Sequence, residues 1–178
     1  SICALFDCEG SLNESVLETA LKMMIASTPS LRSRFVEEGG VVTQVCADHA
    51  DFQLQRYEVE MGSELEDAKR EGLSLLQKVA LEKWDLGGNK SLMSVHRVHY
   101  GPSRFLVLFR FHHMIGDGWS LGLFFPQLYK AYQALLDGKL SEIFSSSISY
   151  VDYALWQRRC LESEGGQVAL GYWVERLK

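Results

Sequence analysis

The sequence has no cysteine pair at metal-ligand spacing, no basic run and no apolar stretch near the roughly 18 residues that a membrane-spanning helix needs. Its first residues, Ser1 to Cys8, lack the basic segment and apolar core of a secretory leader. Cys3, Cys8, Cys46 and Cys160 are scattered, and a chain of 178 residues builds a core without disulfides. They are read as reduced and mostly buried, the usage of a cytoplasmic protein. No GxSxG nucleophile elbow occurs, and the pairs Gly39-Gly40, Gly87-Gly88 and Gly165-Gly166 carry no phosphate-binding fingerprint, so each is read as a turn. With only 3 prolines against 47% hydrophobic residues, disorder and collagen are excluded, because the chain has ample apolar surface to offset its ordering.

Lys and Arg number 18 against 23 Asp and Glu, a net charge of −5 that favours neither nucleic acid nor an anionic membrane. Periodicity supplies the elements. A strand over Ile2 to Asp7 is followed by a helix whose apolar face is Val16, Leu17, Ala20, Leu21, Met24 and Ile25, capped by Ser11 or Asn13 and stopped by Pro29. Ser33 to Glu37 and Val41 to Cys46 flank Gly39-Gly40 as a hairpin, and a further strand covers Gln53 to Glu60. A long helix runs from Ser63 to Trp84, weakened at Gly72 and ended by Leu86-Gly87-Gly88-Asn89.

Two strands follow, Ser91 to Tyr100 and Arg104 to His113. Phe105 to Phe111 is apolar on both parities except at Arg110, the pattern of a central strand covered on both faces. Beyond the glycine-rich turn Ile115 to Gly118, a helix from Trp119 to Leu136 contains Pro126, which predicts a kink or a break. A serine-rich stretch, Ser145 to Ser149, precedes aromatic helices from Tyr150 to Leu161 and from Gln167 to Leu177. This order of strands and helices predicts a layered α/β sandwich.

The chemistry concentrates in His112-His113-Met114-Ile115-Gly116-Asp117-Gly118-Trp119-Ser120. Adjacent histidines at a strand end face opposite ways, so they do not form a two-ligand clamp, and glycines around Asp117 replace the helix that an HExxH zinc site requires. No metal is expected. A neutral imidazole accepts a proton from an attacking amine or alcohol. Asp117 either orients that imidazole or holds the turn through Arg32 or Arg34. Two histidines that merely stabilise a turn, with Asp117 satisfying its amides, account for the same spacing.

His112 to Ser120 closely resembles the HHxxxDGxS signature of condensation domains from nonribosomal peptide synthetases. Leu31-Arg32-Ser33-Arg34-Phe35 is similar to that family's LRTxF segment, Trp84-Asp85-Leu86 to its FDL, Tyr150-Val151-Asp152-Tyr153-Ala154-Leu155-Trp156 to its YxDYAxW, and Tyr172-Trp173 with Leu177 to the end of its amino-terminal lobe. The resemblance implies an α/β fold, a chloramphenicol-acetyltransferase-like two-layer sandwich forming one lobe of a two-lobed fold. It implies amide-bond formation between a donor acyl or peptidyl thioester and the amine of an acceptor aminoacyl thioester. His113 is then the catalytic histidine, and Asp117 a structural partner of Arg32. Gly118 permits the close turn, His112 is auxiliary, and Trp119 and Ser120 shape the channel or the turn.

The implied partners are donor and acceptor carrier proteins, other synthetase modules and a carboxy-terminal lobe. No cofactor is held permanently, because the phosphopantetheine arm belongs to the carriers. Residues 1–178 correspond to an amino-terminal lobe that lacks the extreme amino-terminal motif and the whole carboxy-terminal lobe, so the piece alone is expected to be inactive. Ser27-Thr28-Pro29 stands where the family often has RHE. A trans-acting acyltransferase with an alcohol or amine acceptor, and a non-catalytic carrier-docking lobe, are the alternatives.

Overall fold

The computed structural model describes residues 1–60, 64–139 and 148–178. The Ser63 helix start and Ser145 to Ser147 of the serine-rich stretch lie outside these residues. The chain divides into two compact units, Ser1–Ser145 and Ser146–Lys178.

In the first unit the strands β1 (Ile2–Glu9), β4 (Gln55–Glu58), β5 (Met93–Gly101) and β6 (Arg104–Phe111) form one sheet in the order β1-β6-β5-β4. β6 is antiparallel to both β1 and β5, while β4 joins β5 in parallel. β2 (Ser33–Glu38) and β3 (Val41–Cys46) form a separate hairpin, closed by Gly39 and Gly40 at φ +59° and +80°, a conformation glycine adopts without strain.

The central placement expected for the Phe105 to Phe111 run is observed, and alternation explains it. Phe105, Val107, Phe109 and Phe111 face a cluster built with α1 (Glu14–Ser27) and α3 (Gly118–Leu136), whereas Leu106 and Leu108 face one built with α2 (Leu65–Leu81). A strand apolar on both parities requires two covers, and helices supply both. The layered α/β sandwich that the sequence predicts is thus formed, with its sheet covered on each face.

Asn13 caps α1 by accepting the Val16 N–H at 3.2 Å. Gly72, expected to weaken α2, has a packing role: a Cβ there would lie 3.1 Å from Val98 and 3.3 Å from Leu106, so glycine lets the helix approach the sheet closely. The far end of β5 is tied down by Tyr100, whose hydroxyl donates to Asp7 at 2.6 Å, while Lys69 of α2 pairs with the same carboxylate at 2.8 Å.

Two further expectations are corrected. α3 runs unbroken through Pro126, because only one bond, to the carbonyl of the exposed Gly122, is lost while Phe124 and Leu128 on either side are buried. The cysteines are not mostly buried: Cys3 and Cys46 are exposed and Cys8 and Cys160 half-buried, since edge strands and a helix flank place them outside the core.

The second unit consists of α4 (Tyr150–Glu162) and α5 (Glu164–Arg176). Ser149 and Asp152 form a reciprocal cap at the start of α4, and Ser163 caps α5 by accepting the Gly166 N–H at 3.3 Å. Gly165-Gly166 is therefore the first turn of a helix and not a free turn. Its reason is steric, since a Cβ on Gly166 would collide with the carbonyl oxygens of Cys160 and Leu161. Among the described residues no helix is long and apolar enough to cross a membrane.

Candidate active site

β6 ends at Phe111, so both histidines sit in the turn that follows it. The turn is pinned by its backbone: the His112 N–H donates to the Leu92 carbonyl at 2.9 Å, and the His112 carbonyl accepts the Ile115 N–H at 3.1 Å. Ile115 is buried in the α1/α3 cluster and anchors the segment between the histidines and Asp117. His113, beside these anchors, is exposed. His112 is half-buried, its Nδ1 accepting the Met114 N–H at 3.1 Å and its ring meeting Trp84 edge to face with centroids 6.2 Å apart. Burial, reinforced by the nearby Arg110 guanidinium, lowers the His112 pKa and favours the neutral ring that this acceptor role requires.

Asp117 is the N-cap of α3. Its Oδ1 accepts the Ser120 N–H and the Ser120 hydroxyl, each at 2.8 Å, while its own N–H donates to Ser120 Oγ at 3.2 Å. Hydrogen bonds from the Ser120 amide and hydroxyl hold the Asp117 carboxyl below its ordinary value. The expected pairing of Asp117 with Arg32 is not formed among the described residues. Arg32 follows α1 directly, and its guanidinium donates to the carbonyls of Ile25 at 2.9 Å, Ala26, and Ala47 at 2.9 Å. The physical reason is local. The last turn of α1 contains no basic residue and leaves carbonyls without helical partners, and the first turn of α3 leaves amides without them, so each charged group satisfies the nearest helix end. Arg34, the competitor, donates to Asn89 Oδ1 at 3.4 Å.

The remaining expected residues also take specific places. Ser120 completes the capping box, and Trp119 stands 82% exposed beside it. Gly118 begins α3 with no atom of the described residues within 4 Å of where a Cβ would project, so the close turn does not depend on it. The tight position is Gly116, whose Cβ would stand 3.3 Å from Ser120.

The sequence pattern assigns no role to Arg110 or His96. Arg110 is 3% exposed, donates to the Glu82 carbonyl and lies with its guanidinium carbon 4.0 Å over the Trp84 ring. Its visible signal is a charge inside an otherwise apolar run. His96, 5% exposed, contacts the Tyr57 hydroxyl at 3.3 Å through Nδ1 and Ser94 Oγ at 2.9 Å through Nε2. Burial, with a smaller push from Arg110, lowers its pKa to about 4. Both residues line an open cleft of about 740 Å³, together with Glu18 and Lys22 of α1 and the segment just past α2.

The condensation domain family model matches residues 2–178. The chain is 32% identical over 172 residues to one of the linear gramicidin synthase polypeptides of Brevibacillus parabrevis, covering 96% of this chain and 3% of that one. It is 32% identical over 178 residues to a dimodular nonribosomal peptide synthase of Bacillus subtilis strain 168, covering 95% and 7%. Its fold is similar to the starter condensation domain of rhizomide synthetase RzmA, with a TM-score of 0.83 at 17% identity over 98% of this chain and 41% of that one. The SgcC5 protein of Streptomyces globisporus gives 0.81 at 21% identity over 99% and 39%. The chain thus spans a small fraction of these curated relatives and about two-fifths of these solved structures. With a family model that matches nearly every residue and a fold shared with those domains, this chain belongs to the condensation domain family.

Proposed function

We propose that this chain is the amino-terminal lobe of a condensation domain that forms an amide bond between two carrier-bound substrates, with His113 as its catalytic residue. The acceptor amine attacks the donor thioester carbonyl; the C–N bond forms, the C–S bond breaks, and the donor chain passes to the acceptor. His113 takes the proton shed by the amine nitrogen and returns it to the departing phosphopantetheine thiolate, so charge balances without a metal. The single observation that supports this reading is an exposed His113 on a turn whose flanking residues are all tied down, a free imidazole on a fixed mount. Asp117 and Ser120 contribute by fixing the start of α3.

The partners in this reading are donor and acceptor carrier proteins and a second lobe that closes a channel over His113. The test loads both carriers, follows the condensed product by mass with the full encoded polypeptide, and offers amine and alcohol acceptors in parallel. His113→Ala is expected to lower amide product on the order of 10²–10⁴-fold with unfolding unchanged. Undiminished product from a folded His113→Ala variant would overturn the assignment. Product from the alcohol alone would move the reading to an ester-forming acyltransferase, and robust turnover by residues 1–178 would remove the need for a second lobe.

A further inference from the structure

The proposed chemistry does not use His112, yet three elements converge on it. Arg110 lies two residues earlier, at the end of β6, and its guanidinium is sandwiched between the Glu82 carbonyl, just past the end of α2, and the face of Trp84. Trp84 meets the His112 ring at an interplanar angle of 89°. His112 Nδ1 then accepts from the amide of Met114, the residue immediately after His113. A continuous stack therefore runs from the α2 terminus to the main chain on both sides of His113.

Packing alone does not account for an arginine here. A buried guanidinium loses hydration, and Arg110 Nε has no hydrogen-bond partner among the described residues, whereas methionine or leucine would fill the same space without an orphaned donor. What arginine adds is a rigid planar cation on the Trp84 face, an attraction that strengthens when both partners are desolvated. Trp84 is thereby fixed in angle as well as position.

We infer that Arg110 and Trp84 are positioning residues: their stack clamps the His112 ring, and the His112–Met114 hydrogen bond passes that constraint to the turn that presents His113. The consequence for catalysis rests on the reading of His113 given above; the clamp itself does not. The clamp works only while His112 Nδ1 is an acceptor. The charged groups that act on the ring are His113 in the turn and Arg110 on its own strand. Both oppose protonation of the ring when they carry charge. Loss of the Arg110 charge lets His112 protonate more readily, which turns Nδ1 from acceptor to donor against the Met114 N–H.

Histidine-ring and amide NMR on the 178-residue chain tests the clamp without any turnover. Arg110→Met is expected to raise the His112 titration midpoint and to shift the Met114 amide, while Arg110→Lys, which keeps the charge, holds the midpoint near that of the parent. Trp84→Leu is expected to release the ring and broaden the Met114 amide with Arg110 intact. If Arg110→Met fails to fold, Trp84→Leu and Arg110→Lys decide the question, and an unchanged His112 midpoint and Met114 amide in folded Trp84→Leu overturns the clamp. In the full encoded polypeptide, Arg110→Met is expected to lower kcat on the order of 10–100-fold with little change in KM, and the loss deepens as pH falls. A uniform loss of kcat at every pH, or a loss confined to KM, would overturn the positioning role. Absence of condensation by the parent protein would instead remove the proposed function and leave the NMR result to judge the clamp.

Discussion

One strand, β6, serves two different regions. Its Phe105, Val107, Phe109 and Phe111 side packs into a cluster of apolar side chains from α1, α3 and the neighbouring strands, with Phe109 in edge contacts to Phe6, Phe124 and Phe125 at centroid distances of 5.8, 6.2 and 5.1 Å. Its other side starts equally apolar, with Leu106 and Leu108 against α2, but ends in Arg110 paired across the sheet with Ser94 and two residues from His96 on β5. Strand alternation keeps the regions apart: the aromatic side secures the fold, and the polar groups gather on the side and at the end where the histidine turn begins. A dry layer loses stability when a side chain is truncated, whereas a buried polar layer loses it when protonation states change.

The aromatic side should show the largest effect. Phe109→Ala removes a ring that touches three others and leaves a cavity that a close-packed sheet and two helices fill only in part. A loss of about 3–5 kcal/mol is expected in chemical denaturation, with the slope unchanged. A loss below about 1 kcal/mol would mean that this side is loosely packed and that the comparison between the two faces fails.

How far the sequence disclosed these regions follows the same division. The dry side was legible because an apolar residue at nearly every position of Phe105 to Phe111 has one physical solution, a strand with two covers. The three helices that supply those covers announced themselves by periodicity, and Asn13 by its cap chemistry. The polar side was half legible. Arg110 stood out as the single charge in the run, but its partner Trp84 lies 26 positions earlier and beyond the end of α2, and no local period links them. The Asp117 and Arg32 pairing came from resemblance, and the structure replaces it with two local caps because helix termini offer unpaired groups at shorter range. Gly72 and Gly166 were legible as glycines but not as packing sites, since only the fold shows which atoms approach them.

The polar side should respond to pH where the dry side does not. His96 titrates near 4 in the folded protein against about 6.5 when unfolded, so between those values the unfolded chain binds a proton that the native state excludes. Stability is full above about pH 6.5 and falls by about 1.4 kcal/mol per unit as pH drops toward 4, about 3 kcal/mol in all. Carboxylates contribute lower on the scale: hydrogen bonds from Lys69 and Tyr100 lower Asp7, and those from Lys22 and Arg56 lower Glu18, so their contributions are lost as pH falls below ordinary carboxylate values. His96→Gln is expected to make the stability curve shallower between about pH 6.5 and 4.5, the remaining slope belonging to His112, while leaving the acid limb in place. The check is urea unfolding across that range, and an equally steep curve in the variant would assign the slope to other groups.

The smallest effect concerns the two charges that the resemblance joined and the structure separates. If Asp117 and Arg32 each serve a helix end, their replacements act independently. Asp117→Ala should lower Tm by about 2–4 °C through loss of the α3 cap, and Asp117→Asn, whose amide oxygen still accepts from Ser120, should lower it less. Arg32→Ala should cost the same number of degrees in the parent and in the Asp117→Ala background, because its bonds go to Ile25, Ala26 and Ala47 and none goes to Asp117. A double variant that loses clearly less than the sum of the two single losses would reveal an ion pair between these residues. Asparagine is the sharper probe: it keeps the cap and removes the charge, so a large effect of Asp117→Asn that disappears when Arg32 is already alanine would restore the pairing, while a small and unchanged one leaves each residue at its own helix end.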